Sequence, residues 1–181
     1  NDASIREDEQ IGDPTEVAFV VWAENLGISV EKFRADNKRI SENPFDSDRK
    51  LMSTLNVIAN DSTINNVNNN DVNNIENNNN NVNSFNVNDM SGMNNSNLIM
   101  ITKGATDIIL SRLANIEDKG VVRQINAEDK RKIEKKNIEF SEKGMRVLAV
   151  AYKNYNSYEL TIDDEDNLTF LGLVAMVDPP R

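Results

Sequence analysis

The chain has 181 residues, a formal net charge of −10, and neither cysteine nor histidine. This length fits one domain with a respectable core, or a smaller domain that carries a long insertion. The missing cysteine excludes disulfides and thiolate chemistry, the missing histidine removes the usual general base near neutral pH, and the acidic charge argues against nucleic acid and anionic membranes as partners.

Two helices are predicted after an irregular lead-in over residues 1–11. The first begins after Asp13, because this residue can cap a helix and Pro14 suits the first helical position. Glu16 stands three residues after the cap, as in a capping box. A second, short helix is predicted around residues 30–35.

A β-hairpin with an enlarged tip is predicted next. Residues 50–57 alternate between better and less well buried positions, and residues 98–101 form a short apolar run, so both segments are typical of strands. Residues 58–97, which join them, are about half asparagine and contain no lysine or arginine. This composition predicts a disordered low-complexity insertion. A hairpin tolerates it because each doubling of loop length costs only about 0.6 kcal/mol.

Helices and strands are predicted to alternate through the rest of the chain. The predicted segments are a helix over 104–114, a ribbon around 120–125, a charged helix over 126–143, and strands over 145–152 and 168–177. The acidic residues 163–166 are expected to form a solvated turn between the last two strands. Together these segments predict an α+β fold, an antiparallel sheet flanked by helices, in a single domain spanning residues 1–181.

Five side chains offer the chemistry that an adenine nucleotide requires. Phe45 can stack on the base, which is worth roughly 1–3 kcal/mol. Lys50, Lys103 and Arg146 supply cations, and the arginine can grip phosphate with a bidentate fork. Glu16 can reach a polar edge of the base or ribose, or complete the helix cap. Each residue also has an ordinary interpretation (a core aromatic, a solvated lysine, a surface arginine), so the prediction depends on their joint occurrence.

Several segments resemble, in the same order, the nucleotide-binding domain of type II P-type cation pumps. The segments are residues 12–16 (GDPTE), 44–50 (PFDSDRK), 48–53 (DRKLMS), 103–105 (KGA), 144–148 (GMRVL), 168–172 (LTFLG) and 178–181 (DPPR). The likeness spans residues 12–181 apart from the asparagine-rich insertion, and the joint occurrence of these motifs is specific. It implies the fold of the P-type ATPase nucleotide-binding domain.

The resemblance assigns a role to each candidate residue by position. It implies that Phe45 stacks on adenine, that Glu16 lies near the base edge and that Arg146 meets the phosphates. The remaining implied pocket residues are Lys50, Lys103, Gly104 and Leu148. Calcium pumps of this family place an arginine two positions after the stacking phenylalanine, where this chain has Ser47. The phosphate tail is then held more loosely, or by Arg49.

The resemblance also implies the ligand and the setting. The ligand is ATP, with Mg²⁺ arriving as MgATP and mostly liganded outside this chain. The implied partners are the phosphorylation, actuator and transmembrane domains of the same polypeptide, with residues 177–181 as a hinge toward the phosphorylation domain. No apolar run approaches about 18 residues, so no membrane span is expected in this chain, and the resemblance implies a cytosolic domain of an integral membrane protein. The transported cation is Na⁺ or Ca²⁺, and residues 12–16 and 44–47 look closer to sodium-type pumps.

The family's phosphorylated aspartate lies in a DKTGT segment, which this chain lacks. No catalytic or metal-binding residue is therefore predicted here, and the fragment is expected to be a monomer that binds nucleotide without hydrolysing it. One alternative is a non-enzymatic interaction module, in which the acidic, asparagine-rich loop recruits a protein partner. A free-standing kinase or hydrolase would need a Mg²⁺ site and a nucleophile or base that the sequence does not show. Deleting residues 60–96 separates the first two hypotheses, because a nucleotide-binding domain keeps its ligand and a recruitment module loses its partner.

Overall fold

The computed structural model describes residues 2–6, 9–58 and 98–177, and these form helices on a central sheet. The helices are α1 (Pro14–Asn25), α2 (Val30–Asp36), α3 (Thr106–Ser111) and α4 (Ala127–Glu142). The strands are β1 (Ser4–Arg6), β2 (Glu9–Ile11), β3 (Arg39–Asp46), β4 (Leu51–Val57), β5 (Leu98–Gly104), β6 (Leu113–Asp118), β7 (Val121–Gln124), β8 (Arg146–Tyr155) and β9 (Leu168–Met176).

The central sheet has seven strands in the order β3-β4-β5-β8-β9-β6-β7. Its neighbouring strands run antiparallel, apart from β6 and β9, which pair in parallel. This architecture confirms the predicted α+β class with a mostly antiparallel sheet flanked by helices. A separate two-stranded sheet pairs β1 with β2.

The predicted hairpin is present as β4 and β5. The two strands pair in continuous register from Leu51 opposite Gly104 to Val57 opposite Leu98. Residues 59–97 of the predicted insertion lie outside the described residues. The expected disorder of that loop, and its alternative role in recruitment, therefore stay predictions.

The two faces of the sheet carry different packing. On one face, Leu51 and Leu55 of β4 are fully buried and join a core cluster with Met100 and Ile109. Helices α3 and α4 contribute to that cluster. Helix α1 packs through Val17 and Val20 against Ala3 in a smaller, separate cluster, and its Glu16 side chain contacts Lys103 on the other face of the sheet. The position of α1 on this second face matters for the candidate site.

Local signals account for the two best-predicted helices. The carboxylate of Asp13 accepts a hydrogen bond from the backbone amide of Thr15 at 2.8 Å, and Pro14 opens α1, as predicted. Asn126 caps α4, and it forms a capping box with Asp129. Helix α2 and strands β8 and β9 also confirm the predicted elements.

Two expectations about these elements are wrong, and one strand was missed. The lead-in is not irregular, because β1 and β2 pair and Ala3 is fully buried beside them. Strand β3 was not predicted at all. The helix expected over 104–114 is confined to Thr106–Ser111, since Gly104 completes β5 and Leu113 begins β6. In that short segment the chain turns from one strand of the sheet to another, which leaves room for less than two helical turns.

The acidic connection between β8 and β9 is not a fully solvated turn. A 3₁₀ turn spans Ile162–Asp164, and Glu165 immediately after it has no exposed surface. The side chain of Ser53 donates a hydrogen bond to its carboxylate at 2.7 Å, and the guanidinium of Arg49 lies beside it. A buried carboxylate requires such partners because an unpaired buried charge is very costly. The prediction of a solvated turn was wrong because it considered only the local run of acidic residues. The counter-charge that allows Glu165 to be buried, Arg49, lies far away in the sequence.

Candidate nucleotide site

Lys103 and Glu16 meet directly. The Lys103 ammonium lies 2.9 Å from the Glu16 carboxylate and 5.7 Å from the centre of the Phe19 ring. The carboxylate also accepts a hydrogen bond from the backbone amide of Asp2 at 3.2 Å. Glu16 therefore turns toward the sheet rather than serving as the capping residue that its spacing suggested, and it joins helix α1 to the end of β5.

The pKa of Glu16 reflects this placement. Partial burial raises it, but the hydrogen bonds from Lys103 and the Asp2 amide more than offset this effect, so the pKa lies below its ordinary value of 4.5. A carboxylate with a depressed folded-state pKa adds stability above its unfolded pKa and loses it as the pH falls through the folded pKa.

The Glu16→Gln substitution should therefore destabilise the domain in a pH-dependent manner. We expect it to lower the free energy of unfolding by about 1 kcal/mol above the ordinary pKa, because a charge-assisted hydrogen bond is lost. The difference from the parent chain should shrink as the pH drops below 4.5. Denaturant unfolding at a series of pH values measures it, and a difference that is constant with pH would contradict the assignment.

Arg146 reaches the same end of α1. It is the first residue of β8, and its guanidinium donates a hydrogen bond to the hydroxyl of Thr15 at 2.7 Å. Val150 of β8 pairs with Lys103 of β5. Alternate residues of a strand share a face, so Arg146 and Leu148 lie on the same face of the sheet as Lys103.

Lys50 and Gly104 are neighbours through the backbone. Lys50 closes the turn between β3 and β4 with a φ of 55°, and its carbonyl accepts a hydrogen bond from the amide of Ala105 at 3.1 Å. A Cβ atom on Gly104 would lie 2.3 Å from that same carbonyl oxygen. Gly104 is thus required for space, because the Lys50 turn packs directly on it.

Phe45 lies near the end of β3 with its ring available to a ligand. The residue is 64% exposed, so it is not the core aromatic that its ordinary interpretation requires. Asn43 pairs with Ser53 and Asp46 with Leu51, which places Phe45 in a bulge opposite Met52. Met52 in turn pairs with Lys103. Two interstrand spacings correspond to roughly 10 Å between the backbones of Phe45 and Lys103.

Arg49 does not extend toward the candidate site as a free cation. Its side chain is 14% exposed and lies against the buried carboxylate of Glu165, with 3.3 Å between Nε and the nearest oxygen. The guanidinium also donates hydrogen bonds to the carbonyls of Pro44 and Leu51. This placement argues against Arg49 as a replacement for the cation missing at Ser47.

A cavity of about 600 Å³ adjoins these residues between α1, α2, β3 and β4. Its lining consists of Asp2, Phe19, Val20, Ala23, Ile28, Val30, Phe33, Arg34, Asn37, Arg39, Thr54 and Asn56. None of the seven predicted site residues lines it. Phe19 connects the two regions, because its ring lies beneath the Lys103 ammonium.

Two contacting residues were missed in the sequence. Phe19 lies three residues after Glu16 on α1, and this spacing places both on one face of the helix. Thr15 holds Arg146 from the helix start, and no local pattern signals that contact. Among the described residues, no group of three or more acidic residues is placed to hold a metal ion. No helix in the described ranges is both long and apolar enough to cross a membrane.

Comparison with known proteins identifies the family. The family model described as "P-type ATPase, cytoplasmic domain N" matches residues 1–68 and 60–181. The chain is 34% identical over 184 residues to Calcium-transporting ATPase 1 of Lactococcus lactis, with 100% of the chain and 17% of that protein covered. It is 33% identical over 182 residues to Calcium-transporting ATPase 1 of Bacillus cereus, with 100% of the chain and 16% of that protein covered.

A plant protein shows the same relationship. The chain is 30% identical over 179 residues to Calcium-transporting ATPase 3, endoplasmic reticulum-type, of Arabidopsis thaliana, with 96% of the chain and 16% of that protein covered. The chain thus spans about one sixth of the length of these curated relatives. The chain belongs to the cation-transporting P-type ATPases, in which it corresponds to cytoplasmic domain N.

Proposed function

We propose that this domain binds ATP with the adenine stacked on Phe45 and the triphosphate directed along the sheet face that carries Lys103 and Arg146. The observation that supports this most is the convergence of three candidate residues around the start of α1. Glu16 bonds Lys103, and Arg146 bonds Thr15, the residue before Glu16. The exposed ring of Phe45 lies two strands away on the same sheet.

The donor set fits the nucleotide. An exposed aromatic ring provides a stacking platform that needs no particular base edge. Lys103, Arg146 and Lys50 supply positive charge to a chain whose formal net charge is −10, and a local cluster reverses the sign of the potential within a Debye length. Because Ser47 carries no charge and Arg49 is engaged with Glu165, the phosphate tail is held by few cations. We therefore expect weak binding.

Within the whole transporter, the domain acts by positioning. It presents the γ-phosphate to the catalytic aspartate of a separate phosphorylation domain, and that transfer drives cation transport. The names of the relatives favour Ca²⁺ over Na⁺ as the transported cation. Mg²⁺ accompanies the ATP and is liganded mostly outside this chain. Residues 178–181 of the proposed hinge lie outside the described residues.

Calorimetric titration of the 181-residue chain with MgATP tests the proposal. We expect saturable, weak binding and no release of inorganic phosphate. An absence of saturable binding would refute the ATP site. Turnover of ATP by the isolated chain would instead support a free-standing hydrolase.

The Lys103→Ala substitution should weaken ATP binding more than adenosine binding. Loss of a charge-assisted contact to phosphate corresponds to about a tenfold higher Kd for ATP. The unpaired Glu16 carboxylate adds repulsion toward the phosphates. Parallel titrations with ATP and adenosine measure the difference, and an equal loss for both ligands would place Lys103 beside the base instead.

Lys132→Ala is the matched control for this substitution. It removes the same charge from α4, where Lys132 is 71% exposed and pairs with Glu128. We expect ATP binding to stay unchanged. A similar loss of ATP affinity in both variants would mean that the effect of Lys103→Ala comes only from the change in net charge.

A further inference from the structure

Arg49 and Glu165 form a buried ion pair next to the Phe45–Lys50 turn, the segment over residues 45–50 that connects β3 to β4. The side chains are 14% and 0% exposed, and the Nε atom of Arg49 lies 3.3 Å from a carboxylate oxygen of Glu165. The same guanidinium donates a hydrogen bond to the Pro44 carbonyl at 2.6 Å and another to the Leu51 carbonyl at 3.2 Å. One side chain therefore contacts three separate segments of the chain.

The two carbonyls flank the residues that the nucleotide site needs. Pro44 immediately precedes Phe45, and Leu51 immediately follows Lys50. The turn between them is closed internally, because the carboxylate of Asp46 accepts hydrogen bonds from the amides of Asp48 and Arg49 at 3.0 and 2.8 Å. Arg49 thus fastens both ends of this turn, whose shape determines where Phe45 and Lys50 lie.

Glu165 anchors the guanidinium to the rigid part of the fold. Ser53 of β4 donates a hydrogen bond to the carboxylate at 2.7 Å, and Ser53 also bonds Thr102 of β5 at 2.9 Å. The Glu165 carbonyl accepts a hydrogen bond from Arg112 at 2.8 Å. The acid is therefore held by strands of the central sheet and by the segment between α3 and β6.

Stability alone does not explain a charged pair at this place. Buried ion pairs are often no better for stability than apolar residues of similar volume, because both charges lose their hydration. An apolar pair could fill the space but could not bond two carbonyls. A guanidinium offers five donors in a fixed fork, which suits it to hold several acceptors at once.

From this geometry we infer that Arg49 and Glu165 are positioning residues, which hold the Phe45–Lys50 turn in the shape that receives the nucleotide. The inference rests on the proposed ATP site and adds residues that do not touch the ligand. Arg49 acts through Phe45 and Lys50, and Glu165 acts through Arg49.

The Arg49→Lys substitution tests this role. Lysine keeps the charge beside Glu165 but lacks the fork that reaches two carbonyls. We expect the Kd for adenosine to rise about fivefold, which is the lower end of the cost of a lost base–aromatic stack, and the Kd for ATP to rise by at least the same factor, because Lys50 shifts together with Phe45. A loss for ATP alone would mean that Arg49 touches phosphate, and no loss for either ligand would mean that the turn does not depend on it. Both results overturn the inference.

Amide hydrogen exchange provides a readout without nucleotide. In the Arg49→Lys variant, exchange at Asp48, Arg49 and Lys50 should become faster than in the parent chain. The Ile133→Ala variant serves as control, because Ile133 lies in the core on α4 and its truncation destabilises the fold away from the turn. If exchange at these three amides becomes equally fast in the control, the effect of Arg49→Lys is general destabilisation, and the inference is overturned.

Glu165→Gln provides a second route if Arg49→Lys does not fold. Glutamine keeps the size of the side chain and an acceptor for Ser53, but it removes the charge beside Arg49. Adenosine binding and turn exchange should change in the same directions as for Arg49→Lys, and unchanged values would overturn the inference. If the parent chain binds neither ATP nor adenosine, the proposed function fails first, and the exchange data still show whether the pair holds the turn.

Discussion

Replacement of Phe45 by alanine is expected to raise the Kd for ATP by roughly 5- to 150-fold, the range that corresponds to one base–aromatic stack. The ring is 64% exposed, so its removal creates no core cavity and should leave the free energy of unfolding within about 0.5 kcal/mol of the parent chain. Binding would then fall without a change in folding. Calorimetric titration with ATP and with adenosine, alongside denaturant unfolding, measures both quantities.

Phe33→Ala is the control for that experiment. Phe33 is also an exposed aromatic residue, at 57%, but it lies on α2 and lines the neighbouring cavity. We expect its loss to leave ATP affinity unchanged. If the two variants bind ATP equally poorly, or if Phe45→Ala binds as well as the parent chain, the ring of Phe45 does not stack on the base.

The sequence predicts the elements whose signals are local. A capping carboxylate and a proline determine where α1 begins, and both residues act within one helical turn. The β4–β5 hairpin is equally predictable from the sequence, because the alternation of Leu51, Ser53 and Leu55 with less buried neighbours indicates that one face of β4 is buried. These predictions need no knowledge of the rest of the chain.

The elements that were missed depend on distant partners. Strand β3 lies at an edge of the sheet, contains Pro44 and is mostly exposed, so it shows no alternating pattern. It is a strand because β4 pairs with it. Glu165 stands in an acidic run that favours a solvated turn, and its burial depends on Arg49 and Ser53, which lie far away in the sequence.

The candidate site shows the same division. The motifs identify Glu16 and Lys103 separately, but only the fold brings the two charges to 2.9 Å. The spacing between Asp13 and Glu16 predicted a capping box, but the Glu16 carboxylate bonds Lys103 of the sheet instead. The prediction for Arg49 shows the converse. Its position near the stacking ring suggested phosphate binding, but in the fold its guanidinium lies beside the buried carboxylate of Glu165. Local motifs thus identify the candidate site residues, whereas tertiary packing decides what each of them contacts.

Gly104→Ala should be among the most destabilising single substitutions in the described part of the chain. The added methyl group would lie 2.3 Å from the Lys50 carbonyl oxygen and 2.6 Å from a methyl carbon of Leu51. The first contact is with backbone, which cannot rotate away as a side chain can. We expect a loss of about 3 kcal/mol or more in the free energy of unfolding, at or above the usual cost of overpacking. Because the Lys50 turn must shift, ATP binding should weaken as well.

Gly172→Ala is the matched control, with the same chemical change in strand β9 of the same sheet. A Cβ atom on Gly172 meets nothing within 4 Å. Alanine is favoured over glycine in a strand interior by roughly 0.5–1 kcal/mol, so this variant should be as stable as the parent chain or slightly more stable. Denaturant unfolding of the two variants measures the difference. If Gly104→Ala unfolds at the same denaturant concentration as Gly172→Ala, the turn that carries Lys50 does not pack on β5 as described, and the placement of Lys50 beside Gly104 loses its structural basis.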